Sequence, residues 1–229
     1  MPYLATPAKR SRTLLIAGTV ALVLALAFAL ATASPEAAYA KSKNSKACAA
    51  YKTLLSKKSM KWGYSKVSTS SLKFACQDIN KDGIKDLVLY NSNATEADGG
   101  FYRVYTYAKG KAKRVGTYYS LRVCRNKNFF SDSRAHMDNE HYNYYRLGKN
   151  GKVKKLASYD VQMMFEPYAT SYKKKMKQGI PFYYYNFKVN GKATSYSKCM
   201  STIKSLKKSS KNTLKYRANT AKNRAKYLK

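Results

Sequence analysis

The chain has 229 residues, of which 45 are lysine or arginine and 11 are aspartate or glutamate, so its formal net charge is +34 at pH 7. The length suits one domain with a buried core rather than several. A charge of this size opposes compaction and favours adsorption to polyanions. It does not select among wall polymers, anionic lipids and acidic glycans, and nucleic-acid binding is expected only as a non-specific property because no recognised motif accompanies the charge.

The first 40 residues have the pattern of a secretory signal peptide. Three basic residues precede an apolar run over residues 14–30, and Ala38-Tyr39-Ala40 fits the small-residue site of signal peptidase. We therefore predict cleavage after Ala40 and secretion of the mature protein. The remaining sequence shows no second apolar stretch that would hold the mature protein in a membrane. An uncleaved N-terminal anchor is the alternative, because the apolar run is nearly long enough to span a bilayer.

The remaining residues, 41–229, are predicted to form a single domain with two disulfides. Removing three basic residues and one acidic residue from the totals of 45 and 11 leaves 42 and 10, a net charge of +32. An even number of cysteines in an exported protein favours disulfides, and zinc is disfavoured because no pair has C-x-x-C spacing. Three connectivities remain open for the four residues, Cys48, Cys76, Cys124 and Cys199.

Apolar stripes at helical spacing predict a helix near each end of this domain. "ACAAYKTLLSKK", residues 47–58, carries the first stripe, and residues 199–206 carry the second. We predict a basic helical segment over residues 205–229, with Thr220 as a plausible N-cap for its last part.

The middle of the domain is predicted to be antiparallel strands. "SLKFAC" and "DLVLY" are apolar strands, and three hairpins follow, which turn at Lys109-Gly110, Asn150-Gly151 and Asn190-Gly191. The turn glycines lie 41 and 40 residues apart, but three units cannot close a propeller, so a meandering sheet is preferred to a blade repeat. Strands with helices at the ends, and no alternation of the two, predict an α+β fold.

The acidic loop within "FACQDINKDGIKDLVLY", residues 74–90, departs from its lysine-rich surroundings. Counting Asp78 as position one, oxygen-bearing side chains fall at positions one, three, five and nine, and a glycine falls at position six. These are offsets at which a short loop supplies oxygen ligands to calcium. We predict a Ca²⁺ site formed by the side chains of Asp78, Asn80, Asp82 and Asp86 and the backbone carbonyl of Ile84.

The loop also departs from a complete EF-hand. Position twelve is Leu89, where the EF-hand has a bidentate glutamate. A helix–loop–helix sensor is therefore excluded. Calcium binding is expected to be weak, with a dissociation constant of ~10⁻⁴–10⁻³ M, and the bound ion is expected to be structural. Water or a residue further along the chain, among Asn91, Asn93, Glu96 and Asp98, would complete the shell. The alternative interpretation is a polar hairpin turn, in which aspartate, asparagine and glycine are favoured without any metal.

The motif D-I-N-x-D-G-x-x-D-L after a strand resembles the short calcium loops of dockerin and VCBS/FG-GAP-type modules. With the preceding signal and helix and the following tyrosine- and lysine-rich hairpins, it is similar to a group of exported proteins of Gram-positive bacteria. The specific match covers residues 74–90. This resemblance implies export and calcium binding by the same five residues, and it implies no particular activity.

An enzyme is not expected. The two histidines lie in "HMDNEHYN", which we interpret as a polar loop, and a spacing of five aligns His136 and His141 poorly on either a strand or a helix. No nucleophile-elbow, zinc-protease or phosphate-loop motif is present in the sequence. The alternative is an unrecognised hydrolase that uses His136, Asp138 and Glu140.

The tyrosines of the hairpins permit two interpretations. Alternating with basic residues, they could form a surface that stacks on sugars while lysines bind acidic groups; equally, they could be half-buried strand residues, as β-propensity favours. We predict association with anionic polymers or glycans of the cell envelope; a secreted effector or adhesin that binds a host macromolecule is the alternative, and the oligomeric state is left open. The tyrosines are Tyr102, Tyr105, Tyr107, Tyr118, Tyr119, Tyr142, Tyr144, Tyr145, Tyr183, Tyr184 and Tyr185.

Overall fold

The computed structural model describes residues 35–208 and 210–229, with side chains from Tyr39 onwards. The predicted signal peptide lies almost wholly outside these residues. Three helices lie in the described part: α1 (Pro35–Leu55), α2 (Tyr196–Lys207) and α3 (Ala221–Tyr227). The first helix therefore begins earlier than its apolar stripe, and both C-terminal helices begin after a side-chain cap, since Ser195 accepts from Lys198 N–H and Thr220 from Asn223 N–H.

The strands of the described residues form three sheets, and every strand pair is antiparallel. The five-stranded sheet has the order β14-β3-β4-β5-β6, the larger sheet has β11-β12-β10-β9-β8-β7 with β13 beside β12, and β1 pairs with β2 alone. The strands are β1 (Ser59–Trp62), β2 (Ser65–Ser68), β3 (Lys73–Gln77), β4 (Asp86–Tyr90), β5 (Tyr102–Ala108), β6 (Lys111–Tyr118), β7 (Arg122–Cys124), β8 (Phe129–His136), β9 (Asn139–Leu147), β10 (Val153–Met163), β11 (Tyr172–Lys177), β12 (Ile180–Val189), β13 (Lys192–Ala193) and β14 (Arg217–Ala218).

Antiparallel strands with helices near the two ends confirm the predicted α+β class. The three predicted hairpins also form: β5–β6, β9–β10 and β12–β13. They belong to two different sheets, so the regular spacing of their glycines does not mark a repeated blade.

Residues 42–229 form one compact unit, whose core has three parts arranged in layers. Alternate residues of a strand point to opposite faces, and here each large sheet contributes core residues from both faces. α1 covers one face of the five-stranded sheet, where Tyr51 and Leu55 pack with Phe74 and Leu87. The other face packs against the seven-stranded sheet, and α2 covers the far face of that sheet through Ile203. Full burial of a side chain such as Leu87 stabilises the fold by about 1.5–3 kcal/mol.

Two predictions about the chain's local structure were wrong. The segment "HMDNEHYN" is not a loop, because His136 ends β8 and His141 lies within β9. The segment 205–229 is only partly helical: α2 ends at Lys207 and β14 pairs with β3 before α3 begins. The first segment forms a local hairpin, with His136 opposite Asn139, and the second is held by β3, a strand far earlier in the chain. Local polarity indicates neither conformation. Six strands were not predicted either: β1, β2, β7, β8, β11 and β14. All but β8 are short or rich in lysine, and β8 is polar over its second half.

Candidate functional site

The loop of residues 78–86, here called the 78–86 loop, folds around its own side chains. Asp82 N–H donates to Asp78 Oδ1 at 3.1 Å and to Asn80 Oδ1 at 3.2 Å. Gly83 N–H donates to Asp78 Oδ2 at 3.0 Å, and Ile84 N–H to Asp82 Oδ1 at 2.9 Å. The sharp turn requires φ +83° at Gly83, a conformation that glycine adopts without a Cβ clash. Three of the four predicted side-chain ligands therefore surround one short stretch of backbone.

Asp86, the fourth, is a buried carboxylate at the start of β4 with 1% of its surface exposed. It accepts a hydrogen bond from Ile79 N–H at 2.9 Å and another from the Thr106 hydroxyl. Burial raises the pKa of Asp86 to about 7, and the nearby carboxylates of Asp82 and Asp78 act in the same direction. Among the residues with described side chains, no basic group forms an ion pair with it.

Distant parts of the chain hold the loop in place. Lys85 N–H donates to Asn44 Oδ1 at 2.9 Å, and the Tyr51 hydroxyl donates to the Lys85 carbonyl at 2.9 Å, which fixes the loop to α1. Asn80 Nδ2 donates to the Gly148 carbonyl at 3.3 Å, which fixes it to the β9–β10 turn. These partners are 34 to 68 residues away in sequence, and the motif itself gives no sign of them.

The donor atoms of the loop fit a hard cation, because all of the predicted ligands offer oxygen. Ile84 is 8% exposed and packs into the core under α1, as expected for a residue whose carbonyl alone would be available. Within the described residues, however, no three His, Cys, Asp or Glu side chains gather closely enough to hold a metal ion. Arg125 also lies 3.8 Å from Asp78. Calcium binding stays a prediction.

The downstream acids that might have completed the shell lie elsewhere in the fold. Asp98 Oδ2 accepts from Thr95 N–H at 3.0 Å and Oδ1 from Ser65 N–H at 3.3 Å, so it caps a short 3₁₀ turn. Glu96 Oε2 lies 3.2 Å from Nδ1 of His136. The two downstream asparagines bond to one another, since Oδ1 of the first accepts from the backbone of the second at 3.1 Å. A protein ligand from this segment is therefore not brought to the loop.

A groove beside the loop gathers lysines from three parts of the chain. It has a volume of about 700 Å³, and its lining contains Tyr107, Ala108, Asn150 and no acidic residue. We call it the lysine groove, after Lys43, Lys109, Lys111, Lys113, Lys149 and Lys152.

Two hairpin turns meet at the lysine groove. Lys109 and Gly110 have φ of +50° and +78°, as a tight two-residue hairpin requires. A Cβ at Gly151 would lie 2.7 Å from Cγ2 of Thr106, so glycine lets the β9–β10 turn approach β5. The sequence showed lysines beside both turns, but only this contact between sheets brings them together.

The two histidines are not brought together with each other. His136 contacts Glu96, and His141 Nδ1 lies 2.8 Å from Asp160 Oδ1 on the neighbouring strand β10. The pair therefore forms no common site with Asp138.

The hairpin tyrosines are packed rather than presented to solvent. None of the eleven is exposed, and four of them, Tyr105, Tyr118, Tyr144 and Tyr183, are at least nine-tenths buried. Rings stack across strands: the ring centroids of Tyr142 and Tyr159 lie 4.7 Å apart, and their planes are inclined by 8°. This favours the interpretation as half-buried strand residues over a stacking platform.

All four cysteines are free thiols in the structure. Cys48 and Cys76 belong to the core under α1, where their side chains are hydrogen-bonded to each other. That bond, with Lys85 and Lys52 nearby, lowers the pKa of Cys48 to about 7, and the same bond raises the pKa of Cys76. Cys124 and Cys199 both lie in the core under α2. The predicted disulfides are not formed here and stay a prediction.

Comparisons of the chain with protein-family models, with curated proteins and with solved structures gave no match. Within residues 35–208 and 210–229, no helix has both the length and the apolar character needed to cross a membrane.

Proposed function

We propose that this is an exported, non-catalytic protein that binds anionic polymers or glycans of the cell envelope through the lysine groove, and that calcium in the 78–86 loop braces this groove. The observation that carries the proposal is the hydrogen bond from Asn80 to the Gly148 carbonyl, 3.3 Å long. It joins the predicted calcium loop to the turn on which Lys149 and Lys152 stand.

The groove suits a polymer because its charges are many and close together. Six lysines and no acid line it, so a chain with repeated phosphate or carboxylate groups would meet several ammonium groups at once and release its counterions. Tyr107, partly buried in the core under α1, supplies a firm apolar wall. A neutral small molecule gains nothing from this arrangement.

A second contact couples the loop to the groove. The Thr106 hydroxyl donates to Asp86 of the loop, and its Cγ2 methyl is the atom that Gly151 closely approaches. Bound calcium would supply a double positive charge among the carboxylates. The residues that would hold it are Asp78, Asn80, Asp82, Asp86 and the carbonyl of Ile84, and they would keep the β9–β10 turn in place through the contacts of Asn80 and Thr106.

The test of calcium binding is a calorimetric titration of the chelator-stripped protein. We expect a one-to-one isotherm with a dissociation constant of ~10⁻⁴–10⁻³ M. The double variant Asp78→Ala, Asp82→Ala should lose this isotherm. The control variant Asp138→Ala, Glu166→Ala removes two acids elsewhere and should retain it. Absence of heat up to several millimolar, or an isotherm that survives in the first variant, would assign the loop to the polar-turn interpretation.

The test of polymer binding uses a poly(glycerol phosphate) chain at physiological salt. Replacing Lys149 and Lys152 by Gln should weaken binding about tenfold, since each close ion pair contributes about 0.5–1 kcal/mol. Replacing Lys204 and Lys208, two exposed lysines of α2 and the residue after it, removes the same charge and should change binding little. Equal losses in the two variants would mean that net charge alone drives adsorption. Chelating calcium should weaken binding by the wild type and leave the Asp78→Ala, Asp82→Ala variant unaffected.

A further inference from the structure

A second basic cavity lies away from the lysine groove, between the β1–β2 hairpin, the 3₁₀ turn Glu96–Asp98 and strands β5 and β6. Its volume is about 360 Å³, and three cationic residues line it: Lys61, Arg103 and Arg114. We call it the Arg103 pocket. Nothing in the 78–86 loop contributes to it.

Arg103 is the unusual member, because it is a charged residue with only 4% of its surface exposed. Its Nη1 donates to the Lys61 carbonyl at 2.5 Å, it hydrogen-bonds to the Tyr105 side chain, and its guanidinium lies 4.2 Å from the ring centre of Trp62. Its Nε has no hydrogen-bond partner. Among the residues with described side chains, Arg103 forms no ion pair.

A buried guanidinium without an ion-pair contact is costly. Arginine stays protonated in proteins, and buried charges are normally paired with an opposite charge. Burial lowers the pKa of Arg103, and the positive charge of Arg114 adds to this effect, whereas Tyr105 and the charge of Asp98 oppose it. The one acid in the lining, Asp98, is engaged by Thr95 and Ser65 instead. The pocket therefore has an excess of positive charge, with the buried guanidinium of Arg103 in its wall and the exposed one of Arg114 beside it.

The walls of the pocket are fixed by contacts that do not involve a ligand. Trp62 Nε1 donates to the Gly100 carbonyl at 2.9 Å. A Cβ at Gly63 would lie 2.2 Å from the Cα of Asp98, so the β1–β2 turn and the 3₁₀ turn touch through backbone atoms. At Gly99, by contrast, an added Cβ would meet nothing within 4 Å, which leaves the mouth open. Such a site is preorganised and would lose little freedom on binding.

We propose that the Arg103 pocket binds a single oxyanion group, a phosphate, sulfate or carboxylate, which pairs with Arg103 and Arg114. Guanidinium groups present planar pairs of N–H donors that match the oxygens of these groups. Three cations and one carboxylate give the lining a net charge of +2, which favours a dianion such as a phosphate monoester over a carboxylate. The proposal does not depend on calcium in the 78–86 loop or on the lysine groove.

The only tryptophan of the chain reports on this pocket, since Trp62 stacks on Arg103. Titration of the full-length protein with inorganic phosphate, in calcium-free buffer at constant ionic strength, should change tryptophan fluorescence in a saturable way. Sulfate and acetate serve as the other two oxyanions, and chloride serves as the reference. We expect phosphate and sulfate to bind more tightly than acetate, because they match the net charge of the lining.

Two matched variants separate the pocket from general charge. Arg114→Gln removes an exposed cation of the pocket and should weaken phosphate binding about tenfold, as loss of a charge-assisted hydrogen bond does. Lys113→Gln removes the neighbouring charge of β6, which belongs to the lysine groove, and should leave phosphate affinity unchanged. Arg103→Gln should abolish the phosphate response; should that variant fail to fold, Arg114→Gln alone decides.

The proposal would be overturned if phosphate changed tryptophan fluorescence no more than chloride does. It would also be overturned if the Arg114→Gln and Lys113→Gln variants lost phosphate affinity equally. A parallel titration with poly(glycerol phosphate) distinguishes binding of a free ion from binding of a phosphate group carried on a polymer. Polymer binding that weakens in Lys113→Gln but not in Arg114→Gln belongs to the lysine groove and counts against a polymer-borne group in the Arg103 pocket. If the wild-type protein did not bind the polymer but kept its fluorescence response to phosphate, the proposed function would be contradicted and the Arg103 pocket would still stand.

Discussion

Two aspartates that accept hydrogen bonds have opposite pKa shifts, and they differ in how many bonds oppose the effect of burial: Asp98 accepts from the backbone and side chains of Thr95 and Ser65, whereas Asp132 accepts from two backbone N–H groups. Hydrogen bonds from Thr95 and Ser65 hold the pKa of Asp98 below its usual range. Asp132 accepts from Tyr119 N–H at 2.8 Å and Ser120 N–H at 3.0 Å, yet burial raises the pKa of its carboxyl. Hydrogen bonds to an anion lower the pKa only where they outweigh the loss of hydration.

Asp132 therefore predicts a pH dependence of stability. Because its pKa in the folded protein exceeds the unfolded value of about 4, the folded state binds the proton more tightly, and the stability that this contributes is lost as pH rises above about 4 through the folded pKa. Asp132→Asn keeps an acceptor oxygen without the charge, so the decline should flatten. Urea unfolding of both proteins at pH 4, 5, 6 and 7 measures this, with the other carboxylates common to both. Parallel curves would show that Asp132 titrates normally.

The hairpins show how a turn's sequence and its surroundings act separately. Asn150-Gly151 and Asn190-Gly191 have the same residues, and both glycines have a positive φ, +71° and +81°. This conformation suits glycine in either turn. Only the first turn packs against another strand, because the Cβ position of Gly151 lies 2.7 Å from Thr106, whereas that of Gly191 faces open space.

Alanine substitutions at these two glycines should therefore differ in cost. Gly191→Ala should lower the free energy of unfolding by about 1 kcal/mol, the conformational cost of a positive φ. Gly151→Ala should cost about 2–4 kcal/mol, because Thr106 is 2% exposed and bonded to Asp86, so it cannot move aside freely. Denaturant unfolding of the two variants gives the comparison. Equal costs would mean that the β9–β10 turn does not press against β5.

At the scale of the whole molecule, the packing of α1 on the five-stranded sheet brings two cysteines together. Cys48 of α1 meets Cys76 of β3 in one core, and Cys124 and Cys199 lie in another. Of the three connectivities that the sequence leaves open, this arrangement favours Cys48 with Cys76 and Cys124 with Cys199. A protein of this charge gains from cross-links, because they limit the expansion that self-repulsion favours.

We predict that a small disulfide such as oxidised glutathione converts Cys48 and Cys76 to a disulfide. The Cys48 thiolate would attack oxidised glutathione, which forms a mixed disulfide and releases one reduced glutathione. The Cys76 sulfur would then attack the Cys48 sulfur of the mixed disulfide and release the second reduced glutathione. The bond should add about 3.6 kcal/mol to stability by closing a loop of about 30 residues. Peptide mapping by mass spectrometry identifies the pair: Cys124→Ser should still form it, and Cys76→Ser should remain a mixed disulfide. A Cys48 linked to Cys124 or Cys199 would contradict the prediction.

The sequence alone determined the α+β class, the stripe of α1, the cap at Thr220 and the three glycine turns, because each depends on the conformational preferences and periodicity of neighbouring residues. It also marked the five candidate ligands, whose spacing is local. Tertiary structure alone decided that Asp86 is buried beside Thr106, that Asn80 reaches Gly148 and that lysines of three segments share one groove. It also buried Arg103 against Trp62. These depend on contacts between residues that are tens of positions apart, and burial, which sets the cost of a charge, exists only once the layers have packed.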